Sequence, residues 1–296
     1  MEKINFYSAG HKLSGFINIP AGAKGKVPGI VCCHGYSGNI QLYMADIAQK
    51  ISEAGYATII FYHRGLGESE GPVSRVIPQE QSEDIRNAIT YMQTRPEVDP
   101  DRIGLYGTSL GGANVIYTAG NDKRVKCVVE TGGIGNGERL MISLRRRWEW
   151  LAFLKEIEED RAKRVLTGVS RIVDPHYILP ADPDTINIMI PRFEKFRTEH
   201  SSKGYPLETA DALMDYKPEQ VAEKISPSAA LFIHTANDVL VPPEESWNMY
   251  ERAKEPKKIV IIPNCVHYDV YKFNKPAVFK KVMATAVAWF KEYLPV

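Results

Sequence analysis

The chain contains no apolar run of the ~18 residues that a bilayer-spanning helix needs. Its first residues, Met1-Glu2-Lys3-Ile4-Asn5, lack the apolar core of a secretory signal. Neither a membrane partner nor export is expected, and the reading is a cytoplasmic protein. Cysteine is scarce: Cys32, Cys33, Cys127 and Cys265 are too few and too scattered for a disulfide framework, and no two form C-x-x-C. They read as reduced, buried thiols. The seven histidines show no H-E-x-x-H or similar spacing, so no dedicated metal site is expected. An excess of one charge is missing too, with 37 Lys and Arg against 36 Asp and Glu. A net charge of +1 leaves no field to attract nucleic acid or an anionic membrane. Internal repeats and low-complexity tracts are also absent.

What is present is the composition of a folded protein, 44% hydrophobic and 25% charged over 296 residues, enough for one large domain or a domain with an insertion. Short apolar strands alternate with helical patterns as in a parallel sheet. Residues 2–8 and 11–19 read as strands joined by the Ala9-Gly10 turn. The apolar run 27–33 reads as a strand covered on both faces. A helix over 42–54 ended by Gly55, a strand over 56–62, a helix over 79–94 stopped by Pro96 and a strand over 102–106 follow. A glycine-rich turn, a helix over 110–119 and a strand over 125–130 complete β-α-β winding. From 134 to 226 the rhythm changes to charge-dense helical patterns, including 140–157, broken by several prolines; this predicts an inserted helical segment. The α/β rhythm resumes with a strand over 229–234, a helix over 244–253, a strand over 258–262 and a closing helix over 277–293.

Gly107-Thr108-Ser109-Leu110-Gly111 is G-x-S-x-G between a predicted strand and a predicted helix. Small residues at both glycine positions let strand and helix backbones approach, which pushes the Ser109 side chain out of the sheet at a strained turn. The pentapeptide alone suits a plain glycine-rich turn equally well. A serine hydroxyl is a weak nucleophile, so catalysis needs a base and a group that orients it. Asp238 follows the strand 229–234 and His267 follows the strand 258–262. Each alone reads as a capping or surface residue. Serine, aspartate and histidine in that order, each after a strand, are together unlike a coincidence. Donors to an oxyanion are expected from the backbone N–H groups of Leu110 and of Tyr36, the latter in the loop His34-Gly35-Tyr36-Ser37-Gly38. His34 is assigned to locking that loop.

These features resemble the α/β-hydrolase superfamily: the His34-Gly35 loop, the Arg64-Gly65-x-Gly67-x-Ser69 turn, the Ser109 elbow, the Asp238 acid and the His267 base. Within it the chain is similar to dienelactone-hydrolase-like and prolyl-oligopeptidase-like serine esterases. The resemblance implies an α/β-hydrolase fold, a mostly parallel sheet of about eight strands flanked by helices. Residues 1–133 and 227–296 would form the core domain and 134–226 a helical cap. It departs from relatives at His63, where many carry aspartate, and at Ser109, where dienelactone hydrolases carry cysteine. The implied function is a serine hydrolase cleaving a small or medium ester, thioester or amide, without metal or organic cofactor. Carbon–carbon bond hydrolysis or acyl transfer with the same residues is the alternative, and a non-catalytic binding protein on this fold is a further one.

In the insertion, Leu140, Leu144, Trp148, Leu151 and Leu154 recur at helical spacing with Trp150 and Phe153 beside them. Trp148, with Tyr36 and Tyr268, is a candidate for contact with substrate, while packing onto the core is the simpler use of most of the stripe. Arg145, Arg146 and Arg147 are read as a solvated face. Exposed apolar surface on the insertion or an edge strand would support a homodimer.

Overall fold

Every residue of β3 (Val27–Cys33) is buried, as a strand covered on both faces requires. Along it, Ile30 and Cys32 join one apolar cluster and Val31 and Cys33 the other, the two-residue period of a pleated strand. The computed structural model describes residues 1–36, 38–195 and 204–296, and Ser37 of the predicted oxyanion loop lies outside them.

The other strands of the main sheet are β1 (Glu2–Ser8), β2 (His11–Asn18), β4 (Ala57–Phe61), β5 (Val98–Thr108), β6 (Val125–Thr131), β9 (Ala229–Thr235) and β10 (Lys257–Ile262). β7 (Ile172–Val173) and β8 (Tyr205–Pro206) pair separately. The strand order is β1-β2-β4-β3-β5-β6-β9-β10, antiparallel at β1-β2 and β2-β4 and parallel from β4 onward. α1 (Met44–Glu53) and α10 (Pro276–Tyr293) cover one face, through Ile47, Ile51, Val282 and Phe290. α2 (Pro78–Thr94), α3 (Leu110–Asn121) and α9 (Glu244–Arg252) cover the other, through Ile85, Ile89, Val115 and Met249. Among the described residues no helix is long and apolar enough to cross a membrane.

The chain between β6 and β9 carries α4 (Gly137–Ser143), α5 (Arg147–Thr167), α6 (Pro175–Ile178), α7 (Ile190–Lys195) and α8 (Glu208–Met214). Its apolar residues Leu140, Trp150, Phe153 and Leu213 share a third cluster with Leu110 and Ala113 of α3. Here the expected single helix over 140–157 is corrected to two. Leu144 and Arg145 close α4 with amide bonds to Leu140 and Ile142, and Arg146 turns extended at ψ 154°. The Glu149 carboxylate then accepts the Arg146 N–H at 2.7 Å, which starts α5 in a new phase.

The phase change decides what faces inward. Trp150, Phe153 and Ile157 are buried, whereas Trp148 and Leu151 are 65% and 53% exposed. Arg145 departs from the expected solvated face as well. Its guanidinium lies 3.9 Å over the Phe153 ring and donates to the carbonyls of Tyr177 and Ile178 at 2.7 Å, tying α4 to α6. Burial lowers its pKa. Arg146 and Arg147 are exposed as expected.

Candidate active site

Ser109 stands between β5 and α3 with φ 55° and ψ −125°, a backbone conformation that side chains other than glycine rarely occupy. The glycines on either side make that turn possible. A Cβ on Gly107 would collide with the carbonyl of Gly111, and one on Gly111 with the carbonyls of Cys33 and His34. Strand, turn and helix are therefore packed backbone to backbone. Leu110, the first residue of α3, carries an N–H that precedes the helical ladder and is free for an acceptor outside the helix.

His267 and Asp238 meet beyond the strand ends. The Asp238 carboxylate accepts the His267 Nδ1–H at 2.6 Å, which leaves Nε2 with the free lone pair of the imidazole. Asp238 also accepts from the Leu240 and Val241 amides at 3.1 and 2.8 Å and is almost wholly buried. Burial opposes its ionisation. The charge of His267 and hydrogen bonds from His234 and His267 outweigh burial and hold the carboxyl well below the usual aspartate range. Gly132 lies beside the His267 ring at φ 62°, a left-handed backbone conformation that favours glycine.

Ser109 and His267 line one cavity with Gly35, Tyr36 and Tyr268. This slot has a volume of about 80 Å³. The remaining wall is mostly apolar. Ile134, Leu140, Leu144, Leu179, Met189 and Phe193, all from the chain between β6 and β9, form much of it, with Leu240 and Val241 beside Asp238. Tyr36 and Tyr268 are part of the wall; Trp148 does not line the cavity and is corrected to a surface residue. Tyr268 stacks edge-on to His267 at 5.1 Å and its hydroxyl bonds to Thr185 at 2.7 Å. Sequence reasoning missed Tyr43, Tyr271 and His176 in the wall, because none belongs to a motif or a periodic pattern.

The loop after β3 is fixed from several sides. The Gly35 N–H donates to the Tyr43 hydroxyl at 2.9 Å, and His34 Nδ1 bonds to the Gly35 carbonyl at 2.8 Å. Tyr36 donates through its hydroxyl to the Pro175 carbonyl at 3.2 Å and accepts at its carbonyl from Tyr205 at 3.0 Å. Burial, with His63 nearby, pushes His34 down to about 3, so it stays neutral. Beside His63, Asp84 of α2 accepts from Arg64 Nε and Nη2 at 2.8 and 2.6 Å and faces His63 Nδ1 at 3.3 Å.

A second buried group lies behind Asp238. His234, at the end of β9, faces the Val241 carbonyl at 2.8 Å through Nε2 and the Ser246 hydroxyl at 2.6 Å through Nδ1. Ser246 in turn lies 2.6 Å from Glu130 of β6. Burial pushes Glu130 up to about 7. Glu130 and His234 are titratable residues at buried strand positions, the one sequence signal that could have found them. Among the described residues no group of three or more His, Cys, Asp or Glu side chains is placed to hold a metal ion.

A mostly parallel eight-stranded sheet, helices on both faces and a strained serine turn at the end of its fifth strand define an α/β hydrolase. Comparison with known proteins agrees. The chain belongs to the Hydrolase_4 family, described as serine aminopeptidase, S33, which it matches over residues 26–269. It is 32% identical over 291 residues to an uncharacterized 31.7 kDa protein of Escherichia coli, covering 96% of this chain and 98% of that one. It is 39% identical over 130 residues to the thiohydrolase apmlB of Arthrinium phaeospermum, 43% of this chain and 41% of that one. The polyketide transferase grgF of Penicillium is 26% identical over 265 residues, 84% and 83% of the two chains. The crystal structure of GrgF superposes with a TM-score of 0.82 at 22% identity, covering 100% of this chain and 99% of that one.

Proposed function

We propose that this enzyme hydrolyses a small or medium ester, thioester or amide with an apolar acyl part, through an acyl-enzyme on Ser109. The reading rests above all on the 2.6 Å bond between His267 and Asp238, made beside a cavity whose wall also contains Ser109. In this mechanism Ser109 Oγ attacks the substrate carbonyl carbon while His267 Nε2 takes its proton. The oxyanion accepts hydrogen bonds from the backbone N–H groups of Leu110 and Tyr36. The leaving group departs with the proton from His267, and water then repeats the sequence in reverse to free the acid. Asp238 holds the imidazole in the tautomer that accepts at Nε2. Residues 134–226 serve as a cap over the core formed by 1–133 and 227–296, and Tyr36 and Tyr268 touch the substrate.

Fluorophosphonate labelling and a panel of nitrophenyl esters and acyl thioesters of graded chain length test the reading. Wild type should label and show a burst of product; Ser109→Ala should lose labelling and at least about 10³-fold in kcat. Turnover undiminished in Ser109→Ala would refute it. The relative named polyketide transferase supports acyl transfer as a second reading. Adding alcohol or thiol acceptors to the same assay separates the two, because a transferase gives the new ester or thioester in preference to free acid.

A further inference from the structure

The contacts behind Asp238 fix a proton count. His234 Nε2 faces two acceptors, the Val241 carbonyl at 2.8 Å and the Asp238 carboxylate at 3.4 Å, so it carries a proton. Ser246 has one hydroxyl proton and two close neighbours, His234 Nδ1 and Glu130 Oε1, each at 2.6 Å. With neutral His234 and ionised Glu130, one of those contacts would set lone pair against lone pair. One further proton is required, either on His234 Nδ1 or on Glu130. The two arrangements interconvert by shifting protons across the Ser246 hydroxyl. Glu130 is held for this: its other oxygen accepts the Gly133 N–H at 2.6 Å, and a Cβ on Gly133 or Gly112 would strike it.

We propose that Glu130, Ser246 and His234 share one buried proton behind Asp238, making them positioning residues that set the basicity of His267. This rests on the catalytic reading above. In the form with His234 protonated, a cation offsets part of the Asp238 charge at Oδ2, the oxygen that His267 also addresses. The groups facing this stretch are Asp238 and His267 from the loops after β9 and β10, Glu130 from β6 and Ser246 from α9. Glu245, beside Ser246, is turned toward Arg139, and Asp184 of the β6–β9 chain feels the Asp238 charge through space. Breaking the link should leave His267 facing an uncompensated carboxylate and make it harder to deprotonate.

The test is the pH dependence of fluorophosphonate labelling. Glu130→Gln and Ser246→Ala should each move the acidic limb upward by about half a pH unit or more, while Ser246→Thr, which keeps the hydroxyl, restores the wild-type limb. Identical limbs in all four proteins overturn the proposal. A wild type that does not label at all refutes the catalytic reading instead. If the variants fail to fold, ¹⁵N-histidine spectra of the wild type decide. A signal from a doubly protonated or strongly hydrogen-bonded buried histidine, absent from His234→Gln, supports it. Singly protonated His234 beside an ionised Glu130 overturns it.

A separate observation concerns α5. Its outward face carries Trp148, Leu151, Ala162, Val165 and Leu166, with Val165 and Leu166 83% and 84% exposed, and Lys155, Glu158 and Glu159 at its middle. This face reads nearly the same in both directions about its centre between Glu156 and Ile157. An antiparallel second copy would set Trp148 against Val165 and Leu166, Leu151 against Ala162, and Lys155 against Glu158 and Glu159. We infer that a second copy of this chain docks here, chosen over other partners because antiparallel self-pairing sets Lys155, which within its own helix lies 3.9 Å from Glu159, beside the acids of the other copy. Analytical ultracentrifugation tests it. The wild type should be a dimer, Lys155→Glu a monomer, and the triple change Lys155→Glu, Glu158→Lys, Glu159→Lys a dimer again. A monomeric wild type, or a dimer indifferent to Lys155→Glu, overturns the inference.

Discussion

Asp238 shows how several weak contacts fix one charge. Two backbone amides and two imidazoles surround a carboxylate that burial alone would neutralise. Replacing it by asparagine keeps the shape and removes the charge that selects the His267 tautomer, so kcat should fall about 10⁴-fold with little change in KM, as steady-state kinetics on the best ester would measure. The same charge acts on stability. Its folded pKa lies below that of an unfolded aspartate, about 3.9. Its contribution is therefore complete above that pH and is lost as the pH falls through the folded value. Acid unfolding followed by circular dichroism should accordingly be less steep below about pH 4 in Asp238→Asn than in wild type.

Among the elements, α4 shows how the chain between β6 and β9 is anchored. Asn136 caps it by accepting the Arg139 N–H at 3.1 Å. Arg139 then reaches Glu245 on α9 at 2.8 Å and Glu219 at 2.7 Å, and both carboxylates are buried. Arg139→Leu would leave two buried acids without their cation, and urea unfolding should show a loss of about 3 kcal/mol or more. Gly111→Ala should be as harmful for a different reason, since its Cβ meets the backbone carbonyls of β3 and the loop beyond it, which cannot yield. Arg145 ties α4 to α6 in the same way that Arg139 ties it to α9, and Leu140 and Leu144 are thereby held against the slot.

At the scale of the whole molecule, the slot belongs to neither part of the chain alone. The core contributes Ser109, His267 and Tyr268, and the chain between β6 and β9 contributes much of the apolar wall. Its width should set the acyl group. Leu144→Phe should shift the kcat/KM optimum toward shorter acyl chains while leaving the labelling rate of Ser109 near wild type. An unchanged chain-length profile on the ester panel would show that Leu144 does not bound the acyl site.

The strands, the serine turn and the order of Ser109, Asp238 and His267 were legible because they depend on local pattern. A buried strand needs an apolar run, and a turn packed backbone to backbone needs glycine at both of its ends. Trp148 was misjudged because its environment depends on the phase of α5, and that phase resets where Glu149 captures the Arg146 amide. Tyr43, His176 and the Glu130–Ser246–His234 stretch were equally hidden, although Glu130 and His234 are titratable residues at buried strand positions. Local order in the chain determined that Ser109, Asp238 and His267 each follow a strand. Which groups touch, and hence which protons and which substrate surfaces they hold, was decided only by packing, because such contacts join residues far apart in sequence whose approach no periodicity encodes.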